Sequence, residues 1–396
     1  MLSRSTPSSP DLLDRQTAIP HCTGVRTAIT DRIYKVYTYQ SVDRLPDIEF
    51  GYWPQTIRRW IGEGLPIALT ADEQNQMFLQ KLDDFFGFDR EGHGIGLRLH
   101  MNPAFVEEVL ERRGDKTIMR GSDGITAERY LNDVDESSIP HFIEFPVKTP
   151  DDWELMKRRY RDDDATRYFI GREIEDARRA AGNGRMVSVF FTGFYGQLRN
   201  WMGTENVSYA FYDYPEMIHD MVSVWSTLCA AQVNRLPPDV PIDFASWWED
   251  MAGKNGPLVS PSTFREFLQP GYRTVMDAVR RRGCEISHVD CDGNPHDIVA
   301  NWLEEGVNVM FPLEVQAGVD PIAWRREFGR DLRMRGGINK YALVEGGAAI
   351  DRELERIKPL IDQGGFIPHL DHLVPPDVPY AHYCEYLEKK RRLIGR

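Results

Sequence analysis

From residue 150 onward the chain alternates short apolar runs with amphipathic stretches, and this rhythm restricts the fold more than any other feature. The apolar runs fall at 185–191, 242–248, 285–289, 308–312, 332–336 and 366–370. Helical stretches at 214–236, 260–282, 297–305, 320–328 and 348–363 lie between them, and another at 380–394 closes the chain. Several carry boundary residues: Thr149-Pro150 and Ser260-Pro261 at starts, Gly283, Gly306 and Gly364 just past ends. Such alternation implies parallel strands joined by crossover helices. Two more candidate strands, one within 47–54 and one within 95–120, bring the count to eight. Eight favours an α/β fold of the single (β/α)8 TIM-barrel type. An open doubly wound sheet is the second possibility, weakened because no Gly-x-Gly-x-x-Gly follows the first strand. Helices are expected at 26–45, 55–64 and 73–86, and strand candidates at 95–100 and 117–120 read as an elaboration of the N-terminal half. The expected organisation is a tail and lead-in helix over 1–40 and one barrel over 41–396.

Composition narrows the function classes. The 396 residues are 41% hydrophobic and 28% charged, enough for a sizeable core, and the net charge of −13 opposes nucleic acid or an anionic membrane as partner. No run of about 18 apolar residues suggests a spanning helix, and 1–24, rich in Ser, Pro and Thr, reads as a loose tail. Cys22, Cys229, Cys284, Cys291 and Cys384 are odd in number and lack a CxxC spacing. That pattern fits a reducing, cytoplasmic setting.

In a barrel of this type the site lies at the C-terminal ends of the strands, and unusual polar residues gather there. Glu49, Tyr52 and Trp53 end the first strand; Arg199 and Trp201 follow the run at 185–191; Trp247, Trp248, Glu249 and Asp250 end the next. In 284–294 strand alternation puts His288, Asp290 and Asp292 on one face and Val289 and Cys291 on the other. Glu314 and Gln316, Arg335 and Asn339, and His369, Asp371 and His372 end the last three. Bland roles compete: Glu249-Asp250 can cap a helix, Trp247 and Trp248 can be core, and Cys291 fits a small buried residue. The sharper reading is a divalent metal held by Asp290, Asp292, Glu314 and His372. Without a metal, carboxylates so close would raise one another's pKa and suit acid–base work instead.

The motifs Phe50-Gly-Tyr-Trp-Pro, Leu198-Arg-Asn-Trp-Met-Gly, Trp248-Glu-Asp-Met-Ala-Gly-Lys, Val289-Asp-Cys-Asp-Gly-Asn, Leu313-Glu-Val-Gln-Ala-Gly, Arg335-Gly-Gly-Ile-Asn-Lys and Gly365-Phe-Ile-Pro-His-Leu-Asp-His give residues 40–396 a family likeness. This region resembles the uroporphyrinogen decarboxylase superfamily, in a branch related to zinc- and corrinoid-linked methyltransferases. The resemblance implies a (β/α)8 barrel. The decarboxylases carry an N-terminal Arg-Gln-Ala-Gly-Arg stretch where this chain has Phe50-Gly-Tyr-Trp-Pro, although His372 is similar to their late histidine. The methyltransferases bind zinc through His-x-Cys and a later Cys; Asp290-x-Asp292 and His372 are similar in position, and Glu314 to a further carboxylate.

Harder oxygen ligands suit a more Lewis-acidic centre than thiolates do. The expectation is a metal-assisted methyltransferase or demethylase of a small polar substrate, with zinc as the expected ion and a corrinoid protein as partner. Tyr52, Trp53, Arg199, Trp201, Trp247, Asn294 and Arg335 would contact substrate, and His288, Glu249, Asp290 or His372 would move protons. A homodimer is expected by analogy. The alternatives are a metal-free decarboxylase, using Arg98, Arg199 and Arg335 as carboxylate grips, and a non-catalytic ligand-binding barrel.

Overall fold

The computed structural model describes residues 26–130, 140–169 and 171–396. The expected tail at 1–24, with Cys22, lies outside the described residues. Seven parallel strands form the central sheet: β1 (Gly92–Ile95), β6 (Met186–Thr192), β7 (Phe244–Trp248), β10 (Ile286–Asp290), β11 (Val309–Phe311), β12 (Arg333–Ile338) and β13 (Phe366–Leu370). The intervening strands are β2 (Glu108–Arg113), β3 (Lys116–Arg120), β4 (Thr126–Tyr130) and β5 (His141–Glu144), an antiparallel sheet of their own, and the hairpin of β8 (Ala252–Gly253) and β9 (Gly256–Pro257). Across the central sheet the strands follow chain order with no reversal. A doubly wound sheet reverses at its switch point, so that alternative is excluded. The expected strand at 95–100 lies instead at Gly92–Ile95, and 117–120 belongs to the separate sheet.

The expected strand within 47–54 forms no ladder. Its contribution is one parallel bridge, Tyr52 with Val374. Prolines 46 and 54 bound it, and Gly51 is required twice over, by its φ of +146° and by the Met77 carbonyl, which a Cβ would meet at 2.5 Å. The segment nevertheless touches both sheet edges. The Asp47 carbonyl accepts from the Asp89 amide (2.8 Å), just ahead of β1, and Glu49 Oε2 accepts from the Leu370 amide of β13 (3.2 Å). Lys390 anchors it from the last helix, Tyr380–Leu393, with Nζ 3.0 Å from Asp47 Oδ1 and 2.6 Å from Glu49 Oε1, all three side chains fully buried.

The helix Ala28–Tyr37 covers the N-terminal strand ends, packing Ile33, Val36 and Tyr37 on Met186, Ile286, Val309 and Ile367. The helices Pro215–Arg235 and Ala348–Gln363 fall close to expectation, whereas 73–86 splits into Ala71–Gln74 and Gln80–Phe86. No helix among the described residues is long and apolar enough to cross a membrane.

Candidate metal centre at the strand ends

Residues that alternate inward along each strand determine what reaches the site. On β7, Ala245 and Trp247 are buried against the helical layer while Phe244, Ser246 and Trp248 are partly open. The same alternation carries Glu249 outward and Asp250 inward. Glu249 is fully buried: its carboxylate accepts from the Phe194 (2.8 Å) and Gly196 (2.7 Å) amides and from the Tyr272 hydroxyl. It thereby caps the helix Phe194–Met202, and Gly193 is required because a Cβ there would fall 2.2 Å from the Glu249 carboxyl carbon. Burial pushes this carboxyl up to about 7 against those hydrogen bonds.

Asp250 bends into the site with φ +44°, a left-handed geometry uncommon outside glycine that clusters at functional positions. Its carboxylate accepts from the Asp292 amide (3.3 Å), and its carbonyl takes Nη1 of Arg199 (2.8 Å), whose guanidinium lies 4.7 Å above the Trp248 ring.

Two groups of ligand-type atoms meet here, each within 4.8 Å: Asp292, Glu314 and His372, and Asp250, Asp290 and Asp292. Asp292 belongs to both. His372 Nε2 lies 3.4 Å from Asp292 Oδ2. Glu314 is oriented by the Gly293 amide (2.9 Å) and by Lys340 Nζ (3.3 Å), which also lies 3.9 Å from the buried Asp371. Gly293 has φ +79°, and a Cβ on it would meet the Ala252 carbonyl at 2.5 Å, so the turn that feeds Asp292 into the site accepts little else. Burial, then Asp292 and Asp250, push Asp290 well above the carboxylate range, and burial with Asp292 also raises Asp250. No hydrogen bond reaches the Asp290 carboxylate among the described residues. Crowded carboxylates with so few donors have the chemistry of a cation site, so the residues present fit a divalent ion.

The other expected site residues divide. Trp53 stacks on His372 (5.9 Å, 19°), and Phe50, which sequence reasoning passed over, meets the same ring edge-on at 5.8 Å. His288 and Arg335 lie deeper in the sheet, His288 Nδ1 3.2 Å from Ser246 Oγ and Arg335 Nε donating to His369 Nε2 (3.0 Å). Asn294 shapes its own loop, accepting from the His296 amide (3.2 Å). Tyr52, Trp201 and Trp247 are placed away from the carboxylates. Tyr52 packs on Trp60, Phe86 and Tyr383; Trp201 on Trp153 and Tyr160; and Trp247 donates to Ser287 Oγ (3.0 Å) in the core. Asp250, Lys340 and Phe50 are the site residues left without a role in the sequence reading, although Asp250 and Lys340 stand there at strand ends. Alternation from Phe244 through Trp248 signals Asp250; for Lys340 the signal is its strand-end position alone.

A model of the family described as uroporphyrinogen decarboxylase (URO-D) matches residues 132–392, about two thirds of the chain, including Asp250, Asp290, Asp292, Glu314 and His372. The chain belongs to the uroporphyrinogen decarboxylase family. Among similar proteins, the uroporphyrinogen decarboxylase of Maricaulis maris is 29% identical over 189 residues, covering 46% of this chain and 51% of that one. That of Granulibacter bethesdensis is 25% identical over 181 residues, covering 46% and 49%. The chain thus spans about half the length of the curated relatives it matches. Among solved structures, a methyltransferase from Methanosarcina mazei superposes with a TM-score of 0.56 at 13% identity, covering 93% of this chain and 99% of the other. At that identity the likeness establishes a shared fold for this family member.

Proposed function

We propose that this chain is a metal-assisted methyltransferase or demethylase of a small polar substrate, built on a (β/α)8 barrel that residues 47–53 close between β13 and β1. The observation that carries the reading is the meeting of Asp292, Glu314 and His372 from three strand ends, with ligand atoms within 4.8 Å of one another. A divalent ion held there, zinc being suited to such a nitrogen and oxygen set, supplies Lewis acidity toward a substrate oxygen or nitrogen. The chain's own groups do the rest. Trp53 and Phe50 wall one side of His372 and fix its ring. Lys340 fixes the Glu314 carboxylate by an ion pair. Asp290, beside the ligand set, is the group placed to hold or release a proton; Glu249 is withdrawn into its cap. The motif likeness to corrinoid-linked methyltransferases supports a corrinoid protein as the methyl-exchanging partner.

Decarboxylation of an acidic substrate, metal-free, is the second reading, favoured by the family match. It requires free arginines at the mouth, and there Arg199 is engaged with the Asp250 carbonyl (2.8 Å); Arg98 is paired with Glu173 (2.6 Å), and Arg335 lies deeper in the sheet, beneath the carboxylate cluster. The mouth also presents Asp250, Asp290, Asp292 and Glu314, which repel a polyanion.

The discriminating experiment incubates the zinc-loaded protein with methylcobalamin and candidate thiol, amine and hydroxyl acceptors, and with cob(I)alamin and methylated donors. Corrinoid absorbance is followed with and without chelator. Chelator-sensitive conversion supports methyl transfer. Carbon dioxide release from an acidic substrate that persists under chelation supports the second reading and removes the first.

A further inference from the structure

Below the strand-end carboxylates the sheet lines a half-open cavity of about 260 Å³, bordered among others by Arg335, His288, Ser188, Ser246, Glu91 and Gly94. Barrel interiors of this kind are normally filled by layers of side chains. Here β1 supplies glycine at 92 and 94, and a Cβ built on Gly94 would meet only Ser188 Oγ, at 3.8 Å. The volume suits on the order of eight water-sized atoms.

Ile33, Met186 and Phe244 supply apolar walls, against which the cavity sets an unbalanced donor set. Arg335 is buried, donating Nε to His369 Nε2 (3.0 Å) and Nη1 to Glu91 Oε1 (2.5 Å). Its Nη2 bonds no partner among the described residues. The hydroxyl of Tyr37, buried within electrostatic reach of Arg335 and Glu91, has no partner among them either. Glu91 differs from a structural counter-ion in being 42% exposed against 9% for Arg335. It reaches a buried guanidinium from the rim and satisfies one of its nitrogens. A buried Arg fork is built to take both oxygens of a carboxylate.

We propose that this cavity is a carboxylate-binding site: a compact monocarboxylate is held by Arg335 with Ser188, Ser246 and His288 around its body, and the Glu91 carboxylate occupies the ligand's place when the site is free. Glu91, 42% exposed, regains hydration when it leaves, and the incoming carboxylate takes over the charge of the buried guanidinium, so the exchange strands no buried charge. His288 and Asp290 are alternate residues of one strand face, which sets the cavity about 7 Å beneath the carboxylate cluster. The inference stands whether or not that cluster holds a metal.

The test uses full-length protein kept in chelator, so that its outcome is separate from the metal question. Straight-chain carboxylates from acetate to hexanoate, with the matching amides, are titrated calorimetrically in buffer free of other carboxylates. The wild type is expected to bind one chain length best and to reject its amide. Glu91→Gln, which removes the internal competitor, should tighten that binding about three- to tenfold. Arg335→Met and, independently, Gly94→Leu, which fills the cavity and leaves every polar group in place, should each weaken it at least about tenfold. Unchanged affinity in Glu91→Gln together with equal binding by Gly94→Leu would overturn the proposal, as would failure of every carboxylate to bind Glu91→Gln.

Discussion

Replacing Lys390 with methionine tests how the chain holds the segment that walls the site. Lys390 Nζ is fully buried between Asp47 (3.0 Å) and Glu49 (2.6 Å), and also donates to the Ile48 carbonyl (3.0 Å). Burial alone would lower its pKa, but Glu49 and Asp47 outweigh that and raise it, so it stays charged. Asp47 keeps Arg391 (2.8 Å) and Arg396 (2.6 Å) when the lysine is lost; among the described residues Glu49 keeps the Tyr386 hydroxyl (2.7 Å) and one amide. Removing one partner of a buried ion pair costs about 3–5 kcal/mol, much of it the stranded charge. Lys390→Met should therefore lose about that much in urea unfolding, and Lys390→Met/Glu49→Gln should recover part of it. Acid titration gives a second signature. Burial pushes Asp47 up, but Lys390 and Arg391 hold it down at about 2, so its contribution is present above its ordinary value of 3.8 and lost as pH falls through about 2. In Lys390→Met this acid limb should move to higher pH. A loss below about 1 kcal/mol with an unmoved acid limb would refute the reasoning.

Two further predictions concern groups that the fold withdraws from chemistry. Glu249, raised to about 7 from an ordinary 4.5, contributes stability fully present below pH 4.5 and lost as pH rises through 7, on the order of 3 kcal/mol; in Glu249→Gln, thermal melts at pH 5 and pH 8 should lose most of that difference, and an undiminished difference would assign it elsewhere. Cys229, Cys284 and Cys291 are buried with thiols raised by burial, so native protein treated with iodoacetamide at neutral pH should keep all three unmodified by mass spectrometry. Rapid alkylation of Cys291 would reopen a role for it as a nucleophile.

Much of the fold was legible because its second half repeats one physical pattern. Strands at 366–370 and helices at 348–363 and 215–235 announce themselves by apolar period and by Gly and Pro at their ends. The N-terminal strand was less legible: 47–53 has strand-like residues, yet its carboxylates bond side chains of the last helix, a tertiary choice that local pattern does not encode. The site divides the same way. Alternation put Asp290 and Asp292 on one face in sequence, and the structure brings Asp292 to Glu314 and His372. The same rule applied to β7 separates Asp250 from Glu249, two neighbouring acids with opposite fates. The aromatic residues misled for a different reason. Tyr52, Trp201 and Trp247 sit near strand ends in sequence, but large rings supply most of the packing between sheet and helices, and these three are spent there.

The claim that Asp292, Glu314 and His372 form a metal centre is tested most directly by the metal content of the purified protein and two variants. Elemental analysis by mass spectrometry after extensive dialysis should find about one divalent ion per chain, with zinc the expected ion. Asp292→Ala and His372→Ala should each lose it while retaining the wild-type circular dichroism spectrum. Substoichiometric metal in the wild type, or metal retained at the same level by both variants, would contradict the account.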